Sequence, residues 1–178
     1  MNIAYLDSND FSFFSGAQEE FNLLIKHLKS DHKAESEHGD IESFINKKGY
    51  EVMRQLLQGW LDLKADKEEK ENSFTSASGE HLNHVRVATS RALESLFGKV
   101  KVTRIGYSQI NKPSLFPVDA KLNLATDRYS DGIYHRVSNE AIRGSFDKGV
   151  VLLNRQYLFA FSSFSLWDRR IRTLQVKF

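Results

Sequence analysis

The 178-residue chain contains no cysteine, which excludes disulfides and cysteine-based zinc sites. It also lacks a long hydrophobic run, since the longest one near the C-terminus, Tyr157 to Phe161, is far too short to span a bilayer. The first residues, Met1 to Phe14, carry acids in place of the basic stretch that opens a secretory signal. These absences predict a cytoplasmic protein with no membrane partner.

Familiar catalytic signatures are missing too. The sequence has neither a Gly-rich phosphate loop nor the nucleophile elbow of hydrolases. The histidine pairs His81/His84 and His27/His32 have no third ligand nearby, and a closed zinc site needs four. Acids in the second half lie near turns and helix starts, where carboxylates cap backbone N–H groups. The sequence therefore assigns no catalytic residue, no metal site and no cofactor.

What the chain does have is an uneven distribution of charge. Residues 1–97 hold 11 Lys/Arg against 17 Asp/Glu, whereas residues 98–178 hold 14 against 6. A basic half indicates a polyanionic partner, because clustered cations release counterions from nucleic acid. The alternative is an ordinary solvated surface whose charge is unevenly spread.

Hydrophobic periodicity predicts helices, then strands, then helices, which is the order of an α+β fold. Apolar residues at helical spacing predict one helix over 11–30 and a longer one from Asp40 to about Lys64. Within the second, Gly49 predicts a kink or a close helix contact.

The central part alternates as strands do. Two strands, 91–97 and 99–107, are predicted around Gly98, with a short third strand from Leu115 to Val118. A helix over 129–143 is predicted to end at Gly144, where Ser145 can cap a second helix, 146–154. This C-terminal helix pair resembles an incomplete helix-turn-helix.

These patterns predict five segments. They are a helical region at 1–71, a linker at 72–80, a β-hairpin region at 81–124, a partial helix-turn-helix at 125–156 and an aberrant or divergent tail at 157–178.

The candidates for phosphate contacts are basic residues of the second half, namely Lys99, Lys101 and Arg104 on the hairpin, then Arg128, Arg136 and Arg143. Lys99, Lys101 and Thr103 alternate onto one strand face, and Arg136 and Arg143 share one helix face. The predicted phosphate-binding residues are Lys99, Lys101, Arg104, Arg136 and Arg143. The alternative is that they are solubilising surface residues.

Several blocks in the same order resemble the N-terminal part of one family, the ISKra type of bacterial insertion-sequence transposases. They are Glu37-His38-Gly39 through Leu56-Leu57-Gln58 to Leu61–Ala65, Arg91–Val102, Pro117–Leu124, Tyr129-Ser130 and Arg143-Gly144-Ser145-Phe146-Asp147.

The resemblance implies a protein that binds the ends of its own mobile element, with double-stranded DNA as its partner. In such families, metal-dependent strand transfer belongs to a larger downstream domain, so a divalent metal is implied for that domain alone. From about residue 155 the sequence departs from the family pattern, with six aromatics in residues 157–178. We interpret this as truncation or a frameshift; the alternative is a genuine divergent tail.

The predicted function is therefore the DNA-binding portion of a transposase, inactive alone because its catalytic domain is missing. The alternative is a protein-interaction module that pairs through the helix at 40–64. It would act as a homo-oligomer, or as an assembly partner or inhibitor of full-length transposase, through Leu56, Leu57 and Trp60.

Overall fold

The computed structural model describes residues 10–30 and 37–143. Within these ranges a 3-10 turn, Asp10–Phe14, is followed by helices, then strands, then helices. The elements are α1 (Ser15–Leu28), α2 (His38–Asp66), β1 (Phe74–Thr75), β2 (His81–Leu82), β3 (His84–Ser95), β4 (Gly98–Ser108), α3 (Pro117–Lys121) and α4 (Asp131–Arg143). β1 pairs with β2 and β3 with β4, both antiparallel. The predicted α+β fold is confirmed.

The two long helices run antiparallel to each other. At one end, Gly59 of α2 lies against Phe13 and Phe14, and at the other the rings of His27 and Phe44 stack with centroids 4.3 Å apart. The predicted close helix contact at Gly49 is wrong, since an added Cβ there would meet no atom within 4 Å. The close approach occurs ten residues later, at Gly59.

The central hairpin is the predicted one, with a longer first strand. Glu94 pairs with Lys99 and Ser95 with Gly98 across the turn, where the Ser95 hydroxyl donates to the Gly98 carbonyl at 2.7 Å. Gly98 takes a positive φ of 129°, which side chains rarely tolerate. The pairing shifts register between Arg86 and Thr89, a bulge that lets the first strand continue back to His84.

One face of this hairpin forms a core with α2. The buried members are Leu61, Leu93, Val100 and Val102, and Leu57, Leu122 and Leu124 pack against them. A second cluster joins β2 to the far end of β4 through Leu82, Ile105 and Tyr107, with Phe74, Val85 and Leu115 packed against it.

The segment 72–80, predicted as a linker, carries β1 and the turn into β2. Its Phe74 ring lies 5.4 Å from that of Tyr107, and the Tyr107 hydroxyl accepts the Glu71 N–H at 3.0 Å. The helical region and the hairpin therefore share a core across the predicted boundary.

α4 buries Ile133 and Val137, two residues of its predicted apolar face. The predicted second helix at 146–154, its cap at Ser145 and the tail at 157–178 lie outside the described residues. No helix in the described ranges has the length and apolar character needed to cross a membrane.

Candidate nucleic-acid interface

Lys99 and Lys101 project from the solvent-facing side of β4. Burial alternates along the strand, with Val100 and Val102 in the core and Lys99 and Lys101 exposed at the alternating positions. Thr103 lies half-buried on the same side. The predicted sharing of one strand face by Lys99, Lys101 and Thr103 is confirmed.

Glu94 forms ion pairs with two cations at the edge of this face. Lys99 Nζ lies 3.7 Å from Glu94 Oε1, and Arg128 Nη2 donates to the same oxygen at 3.0 Å. The cationic side chains are 66% and 65% exposed, whereas that of Glu94 is 11% exposed. The charge that reaches solvent is therefore mainly positive.

The backbone holds Arg128 beside the hairpin. The Glu94 N–H donates to the Arg128 carbonyl at 2.7 Å, and the Ser130 N–H donates to the Glu94 carbonyl at 2.9 Å. Tyr129 thereby forms a parallel bridge to Glu94. Arg128 is one of the basic candidates named from the sequence, although not one of the five predicted phosphate-binding residues. Sequence reasoning left out Glu94, because nothing local to either residue shows that these distant segments pair. We call Lys99, Lys101 and Arg128 the basic patch.

Arg104 is not part of this patch, which corrects its prediction as a phosphate contact. It lies on the inner face of the hairpin, 8% exposed, where its guanidinium forms an ion pair with Asp119. The Phe116 ring covers it at 3.8 Å, and Arg91 Nη2 lies 3.9 Å from the same Asp119 oxygen. A cation enclosed in this way has no path to a phosphate.

The two remaining predicted residues lie on α4. Arg136 is half-buried, and Arg143 is the last residue of the helix, with a side chain outside the described set. Of the five predicted residues, the structure brings Lys99 and Lys101 together on one strand face and encloses Arg104 away from that face.

The outer edge of β4 is covered by polar side chains of α2 and of the segment that follows it. Gln58 bonds Lys101 twice, accepting its N–H at 2.8 Å and donating to its carbonyl at 3.0 Å. Further along, the Glu68 carboxylate accepts the Ile105 N–H at 2.8 Å. These bonds satisfy backbone groups that an open strand edge would offer to another chain, and they fix the strand that carries the lysines.

Burial raises the pKa of Glu68, against the lowering effect of the hydrogen bond from Ile105. Because the pKa is raised in the folded state, the folded protein binds this proton more tightly than the unfolded chain does. The stability that the protonated carboxyl contributes is therefore lost as pH rises through the raised pKa. We expect Glu68→Gln, whose amide oxygen still accepts the Ile105 N–H, to be more stable than wild type at pH 7. The advantage should shrink towards pH 4 in urea unfolding; a constant difference at both pH values would contradict the assignment.

In the described part of the chain, no three His, Cys, Asp or Glu side chains cluster as metal ligands would. Comparisons of the chain with family models, with curated proteins and with solved structures give no match. The resemblance to insertion-sequence transposases stays a prediction.

Proposed function

We propose that the basic patch binds the phosphate backbone of double-stranded DNA, and that the chain is the DNA-end-binding part of an insertion-sequence transposase. The observation that supports the proposal most directly is the joint exposure of Lys99 and Lys101 on the hairpin and of Arg128 on the segment bonded beside it. The basic charge of residues 98–178 and the transposase-like sequence blocks support it as well.

The patch suits a polyanion because its three cations are exposed and its two lysines form at most a weak ion pair. Lys101 has no carboxylate partner among the described residues, and Lys99 reaches Glu94 at the long distance of 3.7 Å. Surface ion pairs of this kind contribute about 0–1 kcal/mol, so exchanging one for a phosphate costs little. Contacts of this type position a protein on DNA without reading its sequence.

In the transposase family that the sequence resembles, strand transfer uses a divalent metal in a larger downstream domain. The function proposed for the described residues is therefore DNA binding.

The salt dependence of DNA binding tests the proposal. Three phosphate contacts predict that the logarithm of the association constant falls with the logarithm of salt concentration with a slope of about −3. Lys99→Gln combined with Lys101→Gln should weaken binding and reduce that slope by about 2. Fluorescence anisotropy of a labelled duplex at several salt concentrations measures both quantities.

A matched control removes the same charge elsewhere. Lys26 and Lys29 are exposed near the end of α1, and replacing both with Gln should leave the affinity and its slope nearly unchanged. An affinity for the duplex that does not vary with salt concentration would contradict the proposal. Equal losses in the two double variants would show that net charge, and not the basic patch, causes binding.

A further inference from the structure

The outward side of α2 carries large apolar side chains that no described element covers. Four of them remain substantially exposed, namely Ile45 at 41%, Met53 at 37%, Leu56 at 46% and Trp60 at 39%. Their spacing of three, four or eight residues places them along one side of the helix, and Gly49 falls in the same stripe. We call these five residues the outer face of α2.

The other sides of α2 are already occupied. Leu57 and Leu61 pack into the core with the hairpin. Gly59 contacts the 3-10 turn, and Gln55 contacts the start of α1. Leu57, predicted to pair with a partner helix, therefore points inward. The outer face is a third side, separate from both intramolecular contacts and from the basic patch.

The outer face has a notch at Gly49 and a protruding side chain at Leu56, and these two positions come opposite each other when two copies pair antiparallel. An added Cβ at Gly49 would meet no atom within 4 Å, so the helix surface is open there. Leu56, seven residues later, is the most exposed apolar side chain of the stripe. In an antiparallel pair of identical helices, each Leu56 lies opposite Gly49 of the second copy, and Ile45 lies opposite the larger Trp60.

The charges at the two ends of the outer face also favour antiparallel pairing. Glu42 lies near the N-terminal end of the face and Lys64 near its C-terminal end, where the ammonium sits 5.6 Å from the Trp60 ring centroid. Both side chains are exposed. Antiparallel pairing places Glu42 of each copy near Lys64 of the other, whereas parallel pairing places like charges together.

We propose that the outer face of α2 binds a second copy of this chain, forming an antiparallel twofold dimer in which Leu56 of each copy covers Gly49 of the other. A twofold contact requires one patch to be complementary to itself, and this face meets that requirement in both shape and charge. The proposal does not depend on DNA binding, since the two surfaces share no residue.

Sedimentation equilibrium of the full chain tests the dimer. Leu56→Glu places a carboxylate against the notch and should raise the dissociation constant by at least about 100-fold. Ser43→Glu, which adds the same charge on another exposed side of α2, should leave it unchanged. Circular dichroism should show that both variants remain folded.

Two outcomes of this experiment would overturn the proposal. One is a wild-type chain that stays monomeric up to about 1 mM, where even a weak pair of this kind would associate. The other is a dimer that Leu56→Glu and Ser43→Glu weaken equally, because association would then use a different surface.

A charge exchange tests the direction of pairing. Glu42→Lys alone places like charges at both ends of the interface and should raise the dissociation constant by about 5- to 10-fold. Adding Lys64→Glu should restore the wild-type value, because the opposite charges are then exchanged on both copies. A double variant as weak as, or weaker than, the single one would contradict antiparallel pairing.

The absence of native cysteine permits a direct readout of the register. With a 1.5 Å rise per residue, antiparallel pairing centred near Met53 separates the two Glu42 positions by about 33 Å along the axis. Met53→Cys should therefore cross-link to itself, and Glu42→Cys should cross-link to Lys64→Cys in a mixed sample. Efficient self-linking of Glu42→Cys would overturn the arrangement.

Discussion

Replacing Asp119 with alanine is expected to lower the free energy of unfolding by about 3 kcal/mol, because it leaves the Arg104 guanidinium buried without its counter-ion. The Arg104 side chain is 9% exposed, enclosed by the Phe116 ring and close to Arg91. Asp119 itself keeps 22% of its side-chain exposure, which places the loss at the lower end of the range for buried pairs. Urea unfolding followed by circular dichroism measures the change.

A control and a rescue separate the ion pair from general damage. Asp66→Ala removes an exposed carboxylate and should change stability by less than about 0.5 kcal/mol. Arg104→Met in the Asp119→Ala background should recover part of the loss, because no uncompensated charge then remains. If the two substitutions were simply additive, the pair would not be a coupled unit.

Arg104 shows which features of the hairpin strand alternation predicts and which it does not. Side chains alternate between the two faces of a strand, so Arg104 lies on the same core-facing side as Val100 and Val102. Its partner Asp119 lies beyond a turn, within the short helix α3, so no local sequence pattern predicts the pair. The hairpin and its exposed lysines could be predicted from spacing, whereas this buried arginine needed the tertiary contact.

The long helix illustrates a second limit. Its apolar residues keep the helical period, which predicted the helix correctly, but they occupy more than one side of it. Leu56 and Leu57 are adjacent in sequence; the first is exposed, while the second packs against the hairpin core. Periodicity alone does not tell an outer apolar face from an inner one.

A third limit concerns short elements, where two local patterns compete. Leu115 to Val118 alternates weakly and predicted a strand, yet Leu115 makes a single bridge to Tyr107 and a helix begins at Pro117. Proline at the first position of a helix is a recognised start, since its missing N–H would have no partner there in any case. Reading Pro117 in this way would have predicted α3.

The second large effect comes from the two glycines of α2, for which the same substitution should have opposite signs. A Cβ at Gly59 would lie 2.3 Å from the Phe13 carbonyl oxygen and 2.9 Å from a Phe14 ring carbon. Since a backbone atom blocks it, Gly59→Ala must displace the 3-10 turn from α2. We expect a net loss of about 2 kcal/mol, because overpacking outweighs the gain in helix propensity.

Gly49→Ala is the matched control in the same helix. Its Cβ meets nothing within 4 Å, so helix propensity should act alone and raise the free energy of unfolding by about 1 kcal/mol. Urea unfolding at protein concentrations below the dimer dissociation constant isolates this intramolecular term. The same substitution fills the notch beneath Leu56 of a second copy, so it should weaken association while it stabilises each monomer. If the Gly49→Ala chain is more stable but associates as well as wild type, the helix-propensity argument is supported. The proposed dimer arrangement would then be wrong.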